Sequence, residues 1–295
     1  MSKTPVIVIP LANNDFDPSE VVIPWQLCTA QGFEVKFATC GGKQANADPL
    51  MLSGEGLDPW GFIPILRKIP LLGLSLRAKG PVRKGYQELL QDSNYQNPLC
   101  YKDLKVEDFD GVLLPGGHAP KMRQYLEDKD LQCFVADYFE PKDGSEHKPV
   151  AAVCHGVLVL ARSQSKTTGK SVLYGKKTTA LTWKLEKTAW MLTKYYGRFW
   201  DSNYYRTYQE SENDPYGYWG VEQEIKRALK SEDDFKGVDP NVAGAWLKES
   251  GLARDTEDND KPAWIVQDGN YVSGRWPGDV YTLSKRFIEL VKQAQ

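Results

Sequence analysis

The run Val150-Ala-Ala-Val153 has no polar position, which is the pattern of a strand buried on both faces, and after Gly156 the apolar residues recur at helical spacing. Cys154 therefore falls on the turn between a strand and a helix. The same alternation starts at the N-terminus, where residues 6–9 read as a short strand. Asp17 can cap a helix with Pro18 at its first position, and the apolar set Val21, Val22, Trp25, Leu27 and Cys28 carries that helix to Gly32. Residues 33–39 alternate as a second strand, so the chain opens with one βαβ unit of a parallel sheet. Residues 112–114 read as a further buried strand, ended by Pro115-Gly116-Gly117 and followed by a helix over about 121–139. Residues 178–182 read as a strand leading into another helix. At the C-terminal end, Trp264-Ile-Val-Gln and Tyr271-Val-Ser-Gly flank Asp268-Gly269 as a hairpin, and Val280, Leu283, Phe287, Ile288 and Val291 keep the spacing of a last helix.

This pattern predicts an α/β fold: a mostly parallel sheet flanked by helices on both faces, in one domain over 1–295, with an aromatic-rich insertion. Residues 43–104 and 190–260 fit the alternation least and read as insertions or lid elements. The window 60–76 is the most hydrophobic of the chain, broken by Arg67, Lys68, Pro64 and Pro70. It does not read as a membrane-spanning helix, and as an apolar patch it is expected to cover something: a lid, an oligomer contact or its own domain. The aromatics from Trp190 to Trp219, among them Tyr195, Tyr196, Phe199, Trp200, Tyr204, Tyr205, Tyr208, Tyr216 and Tyr218, suggest packing or a pocket wall more than cofactor stacking.

Charge narrows the partners. The 37 basic and 39 acidic residues nearly balance, with no basic run, so nucleic acid is not an expected partner. Five cysteines with no CxxC pair look like free thiols of a reducing compartment, and with no signal-peptide pattern the expected location is the cytoplasm. Three histidines, His118, His147 and His155, none at i,i+4 spacing, give no reason to expect a metal.

The candidate chemistry converges on Cys154. A side chain on a tight strand-to-helix turn is pushed out beside the unpaired N–H groups of a helix start, which should make the thiol ionise more readily than a free cysteine. His155 follows it and can hold a proton or an orientation. The glycines of Pro115-Gly116-Gly117 expose backbone N–H groups at the same sheet edge, suited to a developing oxyanion. Glu20 lies in the first turn of the first helix, near the carboxyl end of the first strand, where ligands bind in open α/β sheets. Taken alone, each has a plainer reading: a small buried hydrophobe, a tight turn, a carboxylate complementing a helix dipole.

Four motifs in order, Glu20-Val-Val-Ile-Pro24, Leu114-Pro-Gly-Gly-His118, Ala152-Val-Cys-His-Gly156 and Ser273-Gly-Arg-Trp-Pro-Gly278, resemble the ThiJ/PfpI superfamily, with its flavodoxin-like, class I glutamine amidotransferase-like fold. The resemblance implies that Cys154 is the nucleophile or redox-sensitive thiol and that Glu20 shares a hydrogen bond with it. The Cys-His pair and the Gly-Gly-His turn look most like the glyoxalase III and heat-shock chaperone subgroup, whose triad converts methylglyoxal to lactate without a cofactor. The third member then maps to Glu186, 32 residues after Cys154, with Asp201 as the fallback. Gly-Gly-His-Ala-Pro lacks a further glycine usual in that subgroup, and 190–260 matches none of its patterns.

The resulting expectation is a cofactor-independent cysteine enzyme acting on a small reactive carbonyl, as a glyoxalase III-like lyase or a related deglycase or hydrolase. Cys154, His155, Glu20 and Glu186 are its catalytic set, Gly116, Gly117 and His155 its oxyanion donors, and His118 a binding residue. A stress-associated holdase or cysteine redox sensor is one alternative and an amidase or isonitrile-hydrating enzyme another. No cofactor is expected, and a homodimer is left open.

Overall fold

Apolar strands without a polar face need cover on both sides, and the chain supplies it by alternating strand and helix. In the computed structural model, which describes residues 3–140, 147–207 and 220–295, the strands are β1 (Val6–Pro10), β2 (Glu34–Thr39), β3 (Leu99–Cys100), β4 (Gly111–Leu114), β5 (Val150–Val153), β6 (Ile265–Asp268) and β7 (Tyr271–Gly274). They form one sheet in the order β3-β2-β1-β4-β5-β7-β6. Every pairing is parallel except β6 with β7, which form the expected hairpin with Ile265 opposite Gly274 and Asp268 opposite Tyr271. A separate two-stranded pair joins Asn14–Phe16 to Asn46–Ala47.

The main helices are α1 (Pro18–Ala30), α2 (Gly80–Leu89), α3 (Lys129–Phe139), α4 (Gly156–Arg162), α5 (Trp183–Tyr196), α6 (Val221–Ala228) and α7 (Val280–Gln293). α1 packs against α2 and α7, while α4 packs against α3 and α6, so the sheet is covered on both faces. One core runs through it: Ile7, Val8, Ile9, Leu113, Leu114, Ala151, Ala152 and Val153 of the central strands have no exposed surface. This is the flavodoxin-like arrangement.

The β1–α1 joint forms as its residues predict. The Asp17 side chain accepts the Ser19 N–H at 2.7 Å and Pro18 occupies the first turn. β1 and β4 are neighbours although β2 and β3 intervene in sequence, so the strand order reverses there, and the loops leaving β1, β4 and β5 meet at one edge.

Two expectations fail locally. Residues 178–182 make no strand; Thr178 contributes one isolated bridge to Phe235, and its hydroxyl turns to Tyr271 at 2.7 Å. The helix expected over 121–139 is broken at Asp128, whose side chain caps a new helix by accepting the Leu131 N–H at 3.0 Å. Within the window 60–76 Gly73 is buried, while Ile65 is 82% exposed and Leu71 64%.

Candidate active site

The site forms where three sheet-edge loops converge. β5 ends at Val153, and Cys154 adopts φ +56°, a left-handed conformation that costs a non-glycine residue of the order of 1–2 kcal/mol. The turn is held by the Cys154 N–H, which donates to Gly274 O at 3.1 Å, and by α4 starting at Gly156. Gly156 is required there: a Cβ would come within 2.1 Å of Leu114 O. The sharp turn therefore exists because β4 and β5 lie side by side and one residue without a side chain lets α4 start against them.

Two neighbours flank the sulfur. The Cys154 Sγ to His155 Nδ1 distance is 3.3 Å, and the His155 backbone N–H points at the sulfur. On the other side is Glu20, fully buried in the first turn of α1. Its Oε2 accepts the Gly116 N–H at 2.7 Å; Oε1 makes no hydrogen bond of ordinary geometry, and the Cys154 thiol is its neighbour. A Cβ on Gly116 would lie 3.1 Å from both Cys154 Cβ and Glu20 Oε2, and 2.6 Å from His155 N. Glycine at 116 is what lets the β4 loop approach the elbow.

The electrostatics correct the expectation of a readily ionised thiol. Burial pushes the Cys154 thiol well above its ordinary value, and the Glu20 and Asp17 carboxyls push it further, against one favourable His155 N–H. Cys154 keeps only 5% exposure, so desolvation outweighs the helix start. Burial also raises Glu20 well above the usual carboxylate range, with Asp17 adding to the effect. The resting pair is a neutral thiol beside a carboxyl of raised basicity. Burial depresses the two histidines instead, His155 to about 3 and His118 to about 4.

The oxyanion set also changes. Of the three expected donors, the Gly116 N–H is already bonded to Glu20 and the His155 N–H points at the Cys154 sulfur. The expected triad is not closed: His155 Nε2 and Glu186 Oε1 are both buried without a hydrogen-bond partner and no ion pair joins them. Glu186 lies in the first turn of α5, accepts the Val221 N–H at 2.9 Å, and is raised by burial to about 7. Its charge still reaches Cys154. Asp201 is drawn away into an ion pair with Arg198 at 2.9 Å.

His118 is buried and stacked on Tyr205, ring centroids 3.9 Å apart and 12° from parallel, with its Nε2 3.8 Å from Asp48 Oδ2. Asp48 also receives the Tyr204 hydroxyl at 2.5 Å. The aromatic segment thus reaches the site through Tyr204 and Tyr205, whereas Tyr208, Tyr216, Tyr218 and Trp219 lie outside the described residues. Sequence reasoning missed Arg254, whose charge acts on Asp17, Glu20 and Tyr205 while its guanidinium lies 5.5 Å from the centre of the Trp276 ring. Nothing in its local sequence marked it.

The motif before the last helix is structural. Arg275 is buried, binds Asp279 through Nε at 2.9 Å and Nη2 at 2.7 Å, and donates to Lys248 O at 2.6 Å; Asp279 also accepts the Trp264 N–H at 3.0 Å.

A doubly covered, mostly parallel sheet with a left-handed cysteine elbow and a buried glutamate beside it defines a class of flavodoxin-like cysteine proteins. Residues 11–218 match the family described as ThiJ/PfpI family-like, and the chain belongs to that family. An uncharacterised protein of Schizosaccharomyces pombe is 29% identical over 161 residues, covering 54% of this chain and 51% of its own. A deglycase of Pyrococcus abyssi is 26% identical over 194 residues, covering 66% of this chain and 69% of its own. The chain thus spans about half the length of the first relative and about two thirds of the second. Among solved structures, glyoxalase III from Candida albicans shares the fold with a TM-score of 0.56 at 15% identity, over 97% of this chain and 96% of that one.

Proposed function

We propose that this protein is a cofactor-independent cysteine enzyme acting on small reactive carbonyls, converting methylglyoxal to lactate or performing the related deglycase or hydrolase reaction. The observation that carries the reading is the Cys154 thiol held in a strained elbow, with the Glu20 carboxyl on one side and His155 Nδ1 3.3 Å away on the other. The deglycase name of the Pyrococcus relative supports a carbonyl-directed chemistry.

The shifted acidities support a division of roles. His155, held at about 3, is a poor proton acceptor, whereas Glu20 has been made more basic by the same burial. Glu20 therefore takes the thiol proton as the sulfur adds to the aldehyde carbon and returns it to the new oxyanion, which completes the hemithioacetal and frees the carboxylate. In this reading the oxygen on which charge develops is held by the backbone N–H groups of Gly117 and His155. The Glu20 carboxylate then removes the proton of the former aldehyde carbon and delivers it to the adjacent carbon, while the hydroxyl proton passes to the neighbouring carbonyl oxygen, giving the thioester of the hydroxy acid. Water cleaves it, releasing lactate and restoring the thiol. His155 orients, and Glu186 acts on the site through its charge rather than as a bonded triad member.

Lactate formation from methylglyoxal by wild type and Cys154→Ala tests this. The variant is expected to lose about a thousandfold or more in kcat/KM. Equal rates in both would end the reading.

A further inference from the structure

We propose that the segment 60–84 docks this protein on the surface of a bilayer containing anionic phospholipid. The proposal does not rest on Cys154 chemistry. It starts from an exposure that the fold builds deliberately. Phe62, Ile65, Ile69, Leu71 and Leu74 all point into solvent, although the loop that bears them is firmly held. Both oxygens of buried Asp58 accept backbone N–H groups of Leu71, Leu72 and Gly73, the shortest at 2.6 Å. The Trp60 indole N–H donates to Ile69 O at 2.9 Å, and Gly54 packs directly on Gly73. Aliphatic side chains carried on a clamped loop gain nothing from water, and a patch of this kind marks an interaction surface.

Charge selects the occupant. Between Asp58 and Glu88 there are six cations, Arg67, Lys68, Arg77, Lys79, Arg83 and Lys84, and no acid. Among the described residues Arg67, Lys68 and Lys79 form no ion pair, whereas Lys84 lies 3.8 Å from Glu88. A protein partner burying Ile65 and Ile69 would also bury Arg67 and Lys68 and would have to supply carboxylates to match. A second copy docked through a two-fold axis would set cations against cations. A phospholipid surface meets both demands at once, with phosphates for the cations and acyl chains for the aliphatic tips. The rim fits as well. Phe62 meets Phe199 and Trp200 edge-on at 6.0 and 5.2 Å, and the exposed rings of Tyr195 and Tyr196 continue the patch at the end of α5, the amphipathic aromatic composition of a membrane interface. The mode is surface docking: among the described residues no helix is long and apolar enough to cross a membrane.

Flotation of the full chain with vesicles tests the proposal, using phosphatidylcholine alone and phosphatidylcholine with about one third phosphatidylserine. Wild type is expected to float with the anionic vesicles only, and less as salt is raised. Ile65→Asp with Leu71→Asp should abolish flotation. Arg67→Gln with Lys68→Gln should weaken it about thirtyfold, the effect of losing two surface cations. All four positions are exposed, and unchanged circular dichroism and melting temperature would show that the variants remain folded. The proposal is overturned if wild type floats with neither vesicle, or if both variants float as well as wild type. It is equally overturned if sedimentation shows a dimer that Ile65→Asp with Leu71→Asp dissociates, or if the patch suppresses client aggregation while ignoring lipid.

Discussion

Glu20 Oε2 accepts the Gly116 N–H at 2.7 Å, and this bond, with the Asp17 N–H donating to Gly116 O at 2.9 Å, ties the start of α1 to the loop after β4 at the point where Cys154 follows β5. A carboxyl in the first turn of a helix would ordinarily be an exposed, ionised partner of the helix dipole. Here it has no exposed surface, and burial makes it a stronger base. The Glu20 bond occupies the Gly116 N–H, and by itself it opposes the rise that burial imposes on the Glu20 carboxyl.

Because the Asp17 and Glu20 carboxyls both hold the thiol protonated, removing either charge should make Cys154 more reactive. Asp17→Asn keeps a good helix cap and is expected to raise the iodoacetamide alkylation rate of Cys154 several-fold near neutral pH. Glu20→Gln should raise alkylation as well but lower carbonyl turnover by about a hundredfold or more, because the proton acceptor is lost. Peptide-resolved mass spectrometry beside lactate assays measures both; turnover rising with reactivity in Glu20→Gln would remove Glu20 from the mechanism.

Glu186 should make folding stability fall as pH rises. Its folded value, about 7, lies above the usual 4.5, so the unfolded chain loses this proton first. The protonated form's stabilising contribution is complete below about 4.5 and is lost as pH climbs to about 7. Glu186→Gln keeps an oxygen for the Val221 N–H and should gain stability relative to wild type across that window. The ceiling is about 3 kcal/mol at about 1.4 kcal/mol per pH unit. Urea midpoints at several pH values check this, and a difference that does not vary with pH would contradict it.

Gly156→Ala should be among the more damaging single-methyl additions in the molecule. The new Cβ would lie 2.1 Å from Leu114 O, a backbone atom of a fully buried strand that has no room to yield. A loss of about 3 kcal/mol or more, at the upper end for overpacked sites, is expected, read as a lowered Tm. Gly169→Ala, where nothing lies within 4 Å but φ is +69°, should cost about 1 kcal/mol.

Breaking the buried Arg275–Asp279 pair should destabilise without touching the chemistry. Asp279→Ala strands a buried guanidinium and the Trp264 N–H, and about 3–5 kcal/mol of stability is expected to go. At temperatures where the variant is folded, Cys154 alkylation should match wild type; a large change in reactivity would place this motif within the site.

Much of the architecture was legible because its determinants are local. The unbroken apolar run of β5, the Asp17–Pro18 start of α1, the Asp268-Gly269 hairpin and the 3.6-residue spacing of α7 each depend on a few neighbouring residues, and each forms as read. The same holds for the position of the Cys154 elbow, because a strand that ends where a helix begins leaves only a turn between them. Expectations failed where a competing partner lay far along the chain. Thr178 bonds to Tyr271, 93 residues away, instead of joining a ladder.

The sequence by itself determined the alternation of strands and helices, the elbow cysteine and the glutamate in the first turn, since periodicity, caps and glycine-permitted turns act over a few residues. Only the tertiary structure decided how those groups ionise and which of them meet. It brought Tyr205 to His118, Arg254 to Asp17 and Gly116 to Glu20, and it left Glu186 unbonded to His155. Desolvation and through-space charge depend on everything packed around a group, and that surrounding is assembled from segments far apart in the chain.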